Sequence, residues 1–579
     1  MRPLSRLAAL SVLLLNSCYP AGDGKAPPLE ELYFPTGLAI DGLSQSDDEP
    51  GAHKYLYVAN SDFDLQYRAS SVISYNLDSL RKFVPRNCNT SADCAGDPRG
   101  RTACDSLDEG IATGSTLGPS YYCVDPNDPK PCGAATDERD QADLVLNPGR
   151  CKSIDPNKLG LVVDAVGIGA FATDVLWRAN PDPDSMYPAR LFIPVRGDST
   201  LHWIDLKKED ASSADASPPK PGPNGTFECG QNNGDEDGCD SQHRSGGAAD
   251  ASDNPDHLTQ PAEPYALDAT ADGAFVAITN QTSGSVSLFA NDWRANGGPK
   301  LVSVLTGLPL APVGIAAVPD PPIASGLLPE PGFLVAYRTA AQIDLLRVHS
   351  DAPAGGYTRS TLRRAGSVPI NANSLGFDSR GIVIDDTCSA RFAECSSAAL
   401  MVPSEVEKCV AARVACVKAM NGPPGVYVAS RAPASLLVGA MTTAVGYPGD
   451  INPLPSFTDS ISLTFGASRV ILGDVKVRGT ASSPRDGAGP YELERRIFAV
   501  CFDSRRIFIY DPKRRVIDAI VSTGRGPYAL AVDGARALAY LGHFTDSYLG
   551  VVSLDQRFPQ TYATIVASIG APKAPRTSK

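Results

Sequence analysis

Four basic side chains stand at similar places in the sequence, each at or just past the end of an apolar, strand-like segment. They are Arg196, Arg338, Arg431 and His543, and Asp62 and Asp503 lie close to equivalent positions. A guanidinium group binds a carboxylate or phosphate through two parallel hydrogen bonds, so arginines gathered at one place would attract an anionic ligand. The alternative is that these tips are solvated or locally ion-paired, which would carry little energy.

A catalytic use of the same residues would be hydrolysis of a lactone or an ester. His543 would be the general base and Asp503 would orient it. Arg338 or Arg431 would stabilise the oxyanion. The sequence contains no HExxH, G-x-S-x-G or Walker motif. Its six histidines are scattered singly, which argues against the copper or haem centres built on some folds. We therefore predict a binding or interaction module without a cofactor, and we keep the hydrolase as the alternative.

The elements that would position these side chains repeat along the chain. YLYVANSDFDLQYRASSVISYNLD (55–78) places two apolar strands around a polar tip, and similar units begin at residues 190, 274, 333, 425, 496 and 536. A strand opened by Pro or Gly precedes most units, as in EPYALDATADG and GPYALAVDG, and a fourth strand such as KLVSVLTGL follows several. Seven repeats of four antiparallel strands predict an all-β, seven-bladed β-propeller over residues 33–570.

Two of the repeats resemble the YVTN family of bacterial propeller repeats. The resemblance rests on YLYVANSDFD…SSVISYNLD, with its Tyr57-Val58-Ala59-Asn60, and on STGRGPYALAVDGARALAYLGHF. It covers about Phe34 to Gly570 and implies a seven-bladed ring. Relatives of this type include surface proteins of unassigned role and, more distantly, sugar-lactone hydrolases. Two stacked β-sandwiches, the rival fold, would not explain seven similarly ordered units.

The N-terminus is typical of an exported lipoprotein. Arg2 and Arg6 precede an apolar run at 7–15 that is too short to span a bilayer. The run ends in Leu15-Asn16-Ser17-Cys18, which resembles a lipobox whose cysteine is acylated. We expect a signal peptide at 1–17, a tether at 18–32 and a protein held on the cell envelope, at the outer membrane. Ordinary signal cleavage beside an incidental cysteine is the alternative.

The net charge of -13 argues against a nucleic-acid partner, because phosphate contacts need a basic field. The cysteines favour an oxidising compartment. Beyond Cys18 they form three even clusters, with Cys501 left over as a buried apolar residue. The disulfide candidates are Cys88, Cys94, Cys104, Cys123, Cys132 and Cys151, then Cys229 and Cys239, then Cys388, Cys395, Cys409 and Cys416. A zinc site is a poor alternative because there is no CxxC pair and histidine is scarce.

The cysteine clusters lie in insertions at 84–157, 207–259 and 386–422. The last has helical spacing and predicts a hairpin stapled by Cys388–Cys416 and Cys395–Cys409. The acidic stretch 209–257 is predicted to be mostly disordered, as is the tail 571–579. Within it CGQNNGDEDGCDS resembles a calcium loop, but Arg244 stands where the bidentate glutamate belongs, so we predict no metal site.

Propeller geometry assigns the insertions to one face of the ring. With strands a to d running outward in each blade, the b–c turns and the d-to-a crossings share the face with the central funnel. The a–b and c–d turns share the other face. All large insertions are predicted on that other face, which we interpret as a surface for a protein partner. The short tether is expected to hold the funnel face nearer the membrane.

Overall fold

A computed structural model of the protein describes most of the chain between residues 25 and 572. The described residues are 25–44, 46–47, 51–95, 97, 100–106, 121–127, 153–182, 184–208, 222–230, 238–247, 254, 256–294, 297–319, 330–350, 360–370, 377–385, 423–441, 454–478 and 491–572. Several predictions fall outside them. These are the signal peptide, the lipidated Cys18, the disulfide candidates Cys132 and Cys151, the stapled hairpin with Cys388, Cys395, Cys409 and Cys416, and nearly all of the C-terminal tail.

Seven antiparallel sheets follow one another along the chain, each with its strands in chain order. Blade 1 contains β1 (Pro35–Ile40), β2 (Tyr55–Asn60), β3 (Ser70–Asn76) and β6 (Val162–Ile168), while β4 (Ala103–Ser106) and β5 (Tyr121–Val124) form a separate hairpin. Blade 2 contains β7 (Leu176–Ala179), β8 (Ala189–Val195), β9 (Thr200–Lys208) and β10 (Pro223–Glu228), with β11 (Arg244–Ser245) also on β9. Blade 3 contains β12 (Pro264–Ala269), β13 (Phe275–Asn280), β14 (Ser285–Asn291) and β15 (Pro299–Leu305). Blade 4 contains β16 (Pro312–Val318), β17 (Gly332–Tyr337), β18 (Gln342–Ser350) and β19 (Ser360–Pro369).

The remaining blades follow the same plan. Blade 5 contains β20 (Phe377–Ile384), β21 (Gly425–Ala432), β22 (Ala434–Met441) and β23 (Pro455–Ser462). Blade 6 contains β24 (Ala467–Arg478), β25 (Tyr491–Cys501), β26 (Arg506–Asp511) and β27 (Val516–Ser522). Blade 7 contains β28 (Pro527–Asp533), β29 (Leu538–His543), β30 (Tyr548–Ser553) and β31 (Ile565–Ile569). This arrangement confirms the predicted seven-bladed propeller.

The strands in the middle of each blade are apolar on both faces because every blade lies between two others. In β2, Leu56 and Val58 pack into a cluster shared with blade 7, while Tyr57 and Ala59 face blade 2. This alternation follows from the two-residue period of a strand. The described residues form seven large buried clusters, one at each junction between neighbouring blades. The core is therefore a closed ring of interfaces.

The junction of the last and first blades closes the ring without exchange of strands. Arg536 of blade 7 forms an ion pair with Asp533 at 2.7 Å and binds Asp78 and the His53 carbonyl of blade 1. The chain that returns from the six-cysteine insertion adds a second connection, since Ile154 pairs with β31 through hydrogen bonds of 2.7 and 2.8 Å. An insertion of the first blade thus extends the outer edge of the seventh.

Most insertions leave and rejoin the blades on the face opposite the funnel, as predicted. The connection from β3 to β6 begins with α1 (Leu77–Arg81), and the six-cysteine insertion that follows includes a short 3-10 helix (Ser91–Cys94). Disulfides join Cys88 to Cys104 and Cys94 to Cys123. The four-cysteine segment lies between β20 and β21, which is an a–b connection. We call this side of the ring the insertion face and the other side the funnel face.

The two-cysteine insertion departs from the prediction. It does not precede strand d of blade 2 but interrupts it, because β10 and β11 pair with successive parts of β9. The Cys229–Cys239 disulfide closes the interruption, followed by a 3-10 helix (Ser241–His243). Parts of the stretch predicted to be disordered therefore form strands. In the described part of the chain, no helix has the length and apolar character needed to cross a membrane.

Candidate functional site

A cavity of about 250 Å³ opens at the centre of the funnel face. β-bulges at the start of strand a build much of its lining, since the a–b register shifts there in six of the seven blades. A bulge re-aims one side chain, and bulges are common beside functional sites. The residues that line the cavity from these bulges are Thr36, Tyr265, Arg380, Ser468 and Tyr528.

A second ring of cavity residues stands at the funnel end of strand b. The cross-strand partners of the residues at which the strand a bulges begin include Asn60, Ser430, Cys501 and His543. The residue that follows each of these four positions lines the cavity. Around the ring these equivalent residues are Ser61, Arg196, Gln281, Arg338, Arg431, Phe502 and Phe544, and all except Gln281 and Arg338 line the cavity.

One wall of the cavity is aromatic. Phe544 lies 5.2 Å from Phe63, 6.3 Å from Phe502 and 6.2 Å from Tyr528 between ring centroids. Phe34 supports this wall from behind at 5.2 Å from Phe544. Tilted and edge-to-face contacts of this kind are favourable beyond the area that they bury. The wall is therefore a preformed apolar surface beside solvent.

Four side chains from different blades meet across the ring near the cavity. The hydroxyl groups of Tyr265 and Tyr528 are hydrogen-bonded at 2.8 Å. Arg469 forms an ion pair with Asp174, and its guanidinium lies 5.0 Å from the centre of the Tyr528 ring. Burial raises the pKa of Asp174, and Arg469 opposes that shift. These contacts tie blades 2, 3, 6 and 7 together at the axis, so the cavity has a rigid base.

Arg196 brings a guanidinium group to the lining of the cavity. Its Nη2 donates to Glu263 at 2.6 Å. A hydrogen bond from the Thr282 hydroxyl, together with Arg196, holds the pKa of Glu263 below its ordinary value. The Nε of Arg196 is buried and has no hydrogen-bond partner among the described residues. A guanidinium carries five N–H donors, so one carboxylate leaves several for a ligand.

Blade 5 contributes two further arginines. Arg431 donates to Asp503 at 2.7 Å. Arg380 forms an ion pair with Asp378 at 2.8 Å, and Arg338 approaches the same carboxylate at 3.8 Å. Asp378 has a φ of 63°, a conformation that is uncommon for a residue other than glycine. The cavity thus combines an aromatic wall with guanidinium groups that their acid partners hold in place.

The residues predicted from the sequence are only partly brought together. Arg196 and Arg431 line the cavity, whereas Arg338 stands behind Asp378. His543 is fully buried and stacks on Tyr548 with ring centroids 4.0 Å apart. Burial lowers the pKa of His543 to about 3. We therefore do not assign it the role of a general base.

The two acids near the funnel also differ in their surroundings. Asp503 is the partner of Arg431 rather than of a histidine. Asp62 is buried and accepts a hydrogen bond from the Tyr67 backbone at 3.1 Å. Burial raises the pKa of Asp62 to about 6. Neither acid contacts His543 among the interactions of the described residues.

Sequence reasoning missed Arg380, the aromatic wall and the tyrosine pair. A signal for the tyrosines was present, because EPYALDATADG and GPYALAVDG put Tyr265 and Tyr528 at the same place in two blades. Blades 3 and 7 are far apart in the ring, so equivalent residues near its axis face each other. Phe63, Phe502 and Phe544 were missed because each is adjacent to a charged or ionisable candidate, Asp62, Asp503 or His543.

Comparisons with known proteins add no assignment. No protein-family model matches the chain, and no curated protein does. Among solved structures it is similar to a functionally unknown protein from Desulfotomaculum acetoxidans, at 11% identity over 74% of this chain and 95% of that one, with a TM-score of 0.36. It is similar to a protein from Lactobacillus plantarum at 11% identity over 88% and 89%, with a TM-score of 0.39. A structure described as the Dos1 propeller has 10% identity over 53% and 58%, with a TM-score of 0.31.

Proposed function

We propose that this protein is a non-catalytic binding protein that takes a small ligand into the central funnel. The observation that carries the proposal is the cavity of about 250 Å³ in which Phe63, Phe502 and Phe544 face arginines from blades 2 and 5. Ligand sites are usually concave and largely apolar, with a few placed polar groups that fix orientation.

The chemistry of the lining points to a ligand with an apolar part and an anionic end. The aromatic wall would bind the apolar part, because its phenylalanine rings already pack against one another on the side away from the cavity. The free donors of Arg196 and Arg431 would bind a carboxylate, sulfonate or phosphate group. Because each arginine keeps an acid partner, the site has little excess positive charge. A monoanion therefore fits better than a highly charged ligand.

The proposal places the protein on the cell envelope, held by a lipid on Cys18. Support comes from the lipobox-like Leu15-Asn16-Ser17-Cys18. Disulfides such as Cys94–Cys123 also fit an oxidising compartment outside the cytoplasm. We place the anchor at the outer membrane. We further propose that the repeats are of the YVTN type, on the strength of Tyr57-Val58-Ala59-Asn60 in β2, and that the insertion face meets a protein partner.

Titration with 1-anilinonaphthalene-8-sulfonate, a fluorescent aromatic sulfonate, tests the binding site. We expect saturable binding by the native protein, weakened about fivefold or more in Phe544→Ala and in Arg196→Gln. Arg514→Ala is the matched control, because Arg514 is an exposed arginine beside Asp511 in the β26–β27 turn on the insertion face. Circular dichroism would confirm that each variant is folded. Equal affinity in the wild type and all three variants would overturn the funnel site.

Fractionation of cells tests the anchor separately. Wild-type protein should stay with the membranes after a high-salt wash, because acyl chains hold it by apolar burial rather than by charge. The Cys18→Ser variant should leave that fraction. If the wild type is itself released by the wash, the protein has no lipid anchor on Cys18.

A further inference from the structure

Several of the most exposed large apolar side chains stand on the funnel face of the ring. Among the described residues, the five most exposed are Leu65 at 69%, Phe465 at 68%, Leu310 at 61%, Met186 at 59% and Phe63 at 54%. Phe63 and Leu65 lie in the β2–β3 turn, a b–c turn. Leu310 and Phe465 lie in the d-to-a crossings before β16 and β24. Four of the five therefore stand on the funnel face, at three separate places around its rim.

The loops that carry these side chains are fixed by backbone and ring contacts. Phe63 packs 5.2 Å from Phe544, between ring centroids. The Leu310 carbonyl accepts a hydrogen bond of 2.6 Å from Thr339. Beside Phe465, the Gly466 carbonyl accepts a hydrogen bond of 2.8 Å from Phe502. The side chains are held outward, so exposing them does not depend on a loose loop.

The described chain begins on the same rim. Lys25 forms a bridge with Tyr67 in the loop that carries Phe63 and Leu65, and its carbonyl accepts a hydrogen bond of 3.0 Å from Arg68. Seven residues reach from Cys18 to Lys25 and span at most about 25 Å. A lipid on Cys18 would therefore keep this rim close to a bilayer.

Charge on the funnel face does not favour anionic lipid. Most of its described arginines have acid partners, as in the pairs Arg196–Glu263 and Arg431–Asp503. A face with balanced charge and protruding apolar side chains fits the interface of a zwitterionic bilayer. There, phenylalanine and leucine side chains can enter the boundary between head groups and acyl chains.

We propose that the funnel face rests on the phospholipid bilayer, with Phe63, Leu65, Leu310 and Phe465 inserted at the interface. The cavity then opens towards the head groups, and an amphipathic ligand would enter from the lipid side. The proposal takes its direction from the proposed lipid anchor on Cys18. It goes further in assigning membrane contact to the folded ring itself.

The test uses tryptophan as a depth probe in the full-length protein. Phe465→Trp and Phe63→Trp report on the funnel face, and Met186→Trp is the matched control of similar exposure on the insertion face. Each protein is mixed with phosphatidylcholine vesicles whose acyl chains carry bromine, which quenches nearby indole. The wild type, with its three tryptophans, supplies the background.

We expect the added emission of Phe465→Trp and of Phe63→Trp to fall to roughly half, because interfacial side chains reach several ångströms into the bilayer. That of Met186→Trp should not change. Protein that floats with the vesicles but shows no quenching at either funnel position overturns the membrane contact and leaves the anchor intact. Quenching of the same variants made without a lipid on Cys18 would show that the ring makes this contact without help from the anchor. If the emission of Phe465→Trp shifts to the blue as the protein concentration rises in the absence of vesicles, the rim binds a second copy of the chain. That result would overturn the proposal.

Discussion

Arg536 should be the residue on which closure of the ring depends most. Its side chain is 1% exposed and lies between Asp533, at 2.7 Å, and Asp78 across the junction of blades 7 and 1. Arg536→Met keeps an unbranched apolar stem but leaves two carboxylates without their cation. Breaking a buried ion pair in this way costs about 3–5 kcal/mol of unfolding free energy.

Guanidinium chloride unfolding at pH 7 measures this loss. Arg514→Met is the control, because Arg514 is 68% exposed and 3.7 Å from Asp511, and such a surface pair contributes at most about 1 kcal/mol. The double variant Arg536→Met with Asp78→Asn should recover part of the loss, since one stranded charge is removed. A loss for Arg536→Met as small as that for the control would refute the reasoning on closure.

Three further predictions concern burial. Burial lowers the pKa of His543 from 6.5 to about 3, so the unfolded chain takes up a proton at a higher pH than the fold does. About 5 kcal/mol of unfolding free energy is therefore lost as the pH falls from 6.5 to 3. His543→Phe should flatten this part of the acid unfolding curve, and an unchanged curve would contradict the prediction. Burial raises the pKa of the Cys501 thiol to about 11, so a thiol reagent at pH 8 should label it only after denaturation. Replacing Cys94 and Cys123 by serine removes a cross-link over 29 residues, so trypsin should cleave at the otherwise buried Arg101 while the blades stay intact. Equal cleavage at Arg101 in the wild type and in the variant would contradict this prediction.

The fold was predictable because the ring repeats one pattern seven times. Blades pack face to face, so strands b and c are apolar on both sides, and β2 and β29 stand out in any window of the sequence. The interruption of strand d in blade 2 was not predictable in the same way. β10 is set in an acidic, glycine-rich stretch, and its pairing with β9 depends on the fold around it rather than on its own composition.

The sequence predicted the positions of the site residues only to within one residue along each strand. Adjacent residues of a strand point in opposite directions, so an error of one position sends a side chain away from the axis. Arg196 and Arg431 were matched correctly. His543 was predicted at the cavity-lining position that Phe544 occupies, because ionisable residues were taken as the candidates for chemistry and phenylalanine was not. The bulges that aim Arg380 and Tyr528 inward arise from tertiary pairing.

A crystal structure of the protein with 1-anilinonaphthalene-8-sulfonate bound would test the central claim most directly. The account predicts density in the funnel, with the aromatic rings against Phe544 and Phe63 and the sulfonate within hydrogen-bonding distance of Arg196 or Arg431. Density only on the outer edges of the blades or on the insertion face, with an empty funnel, would contradict it.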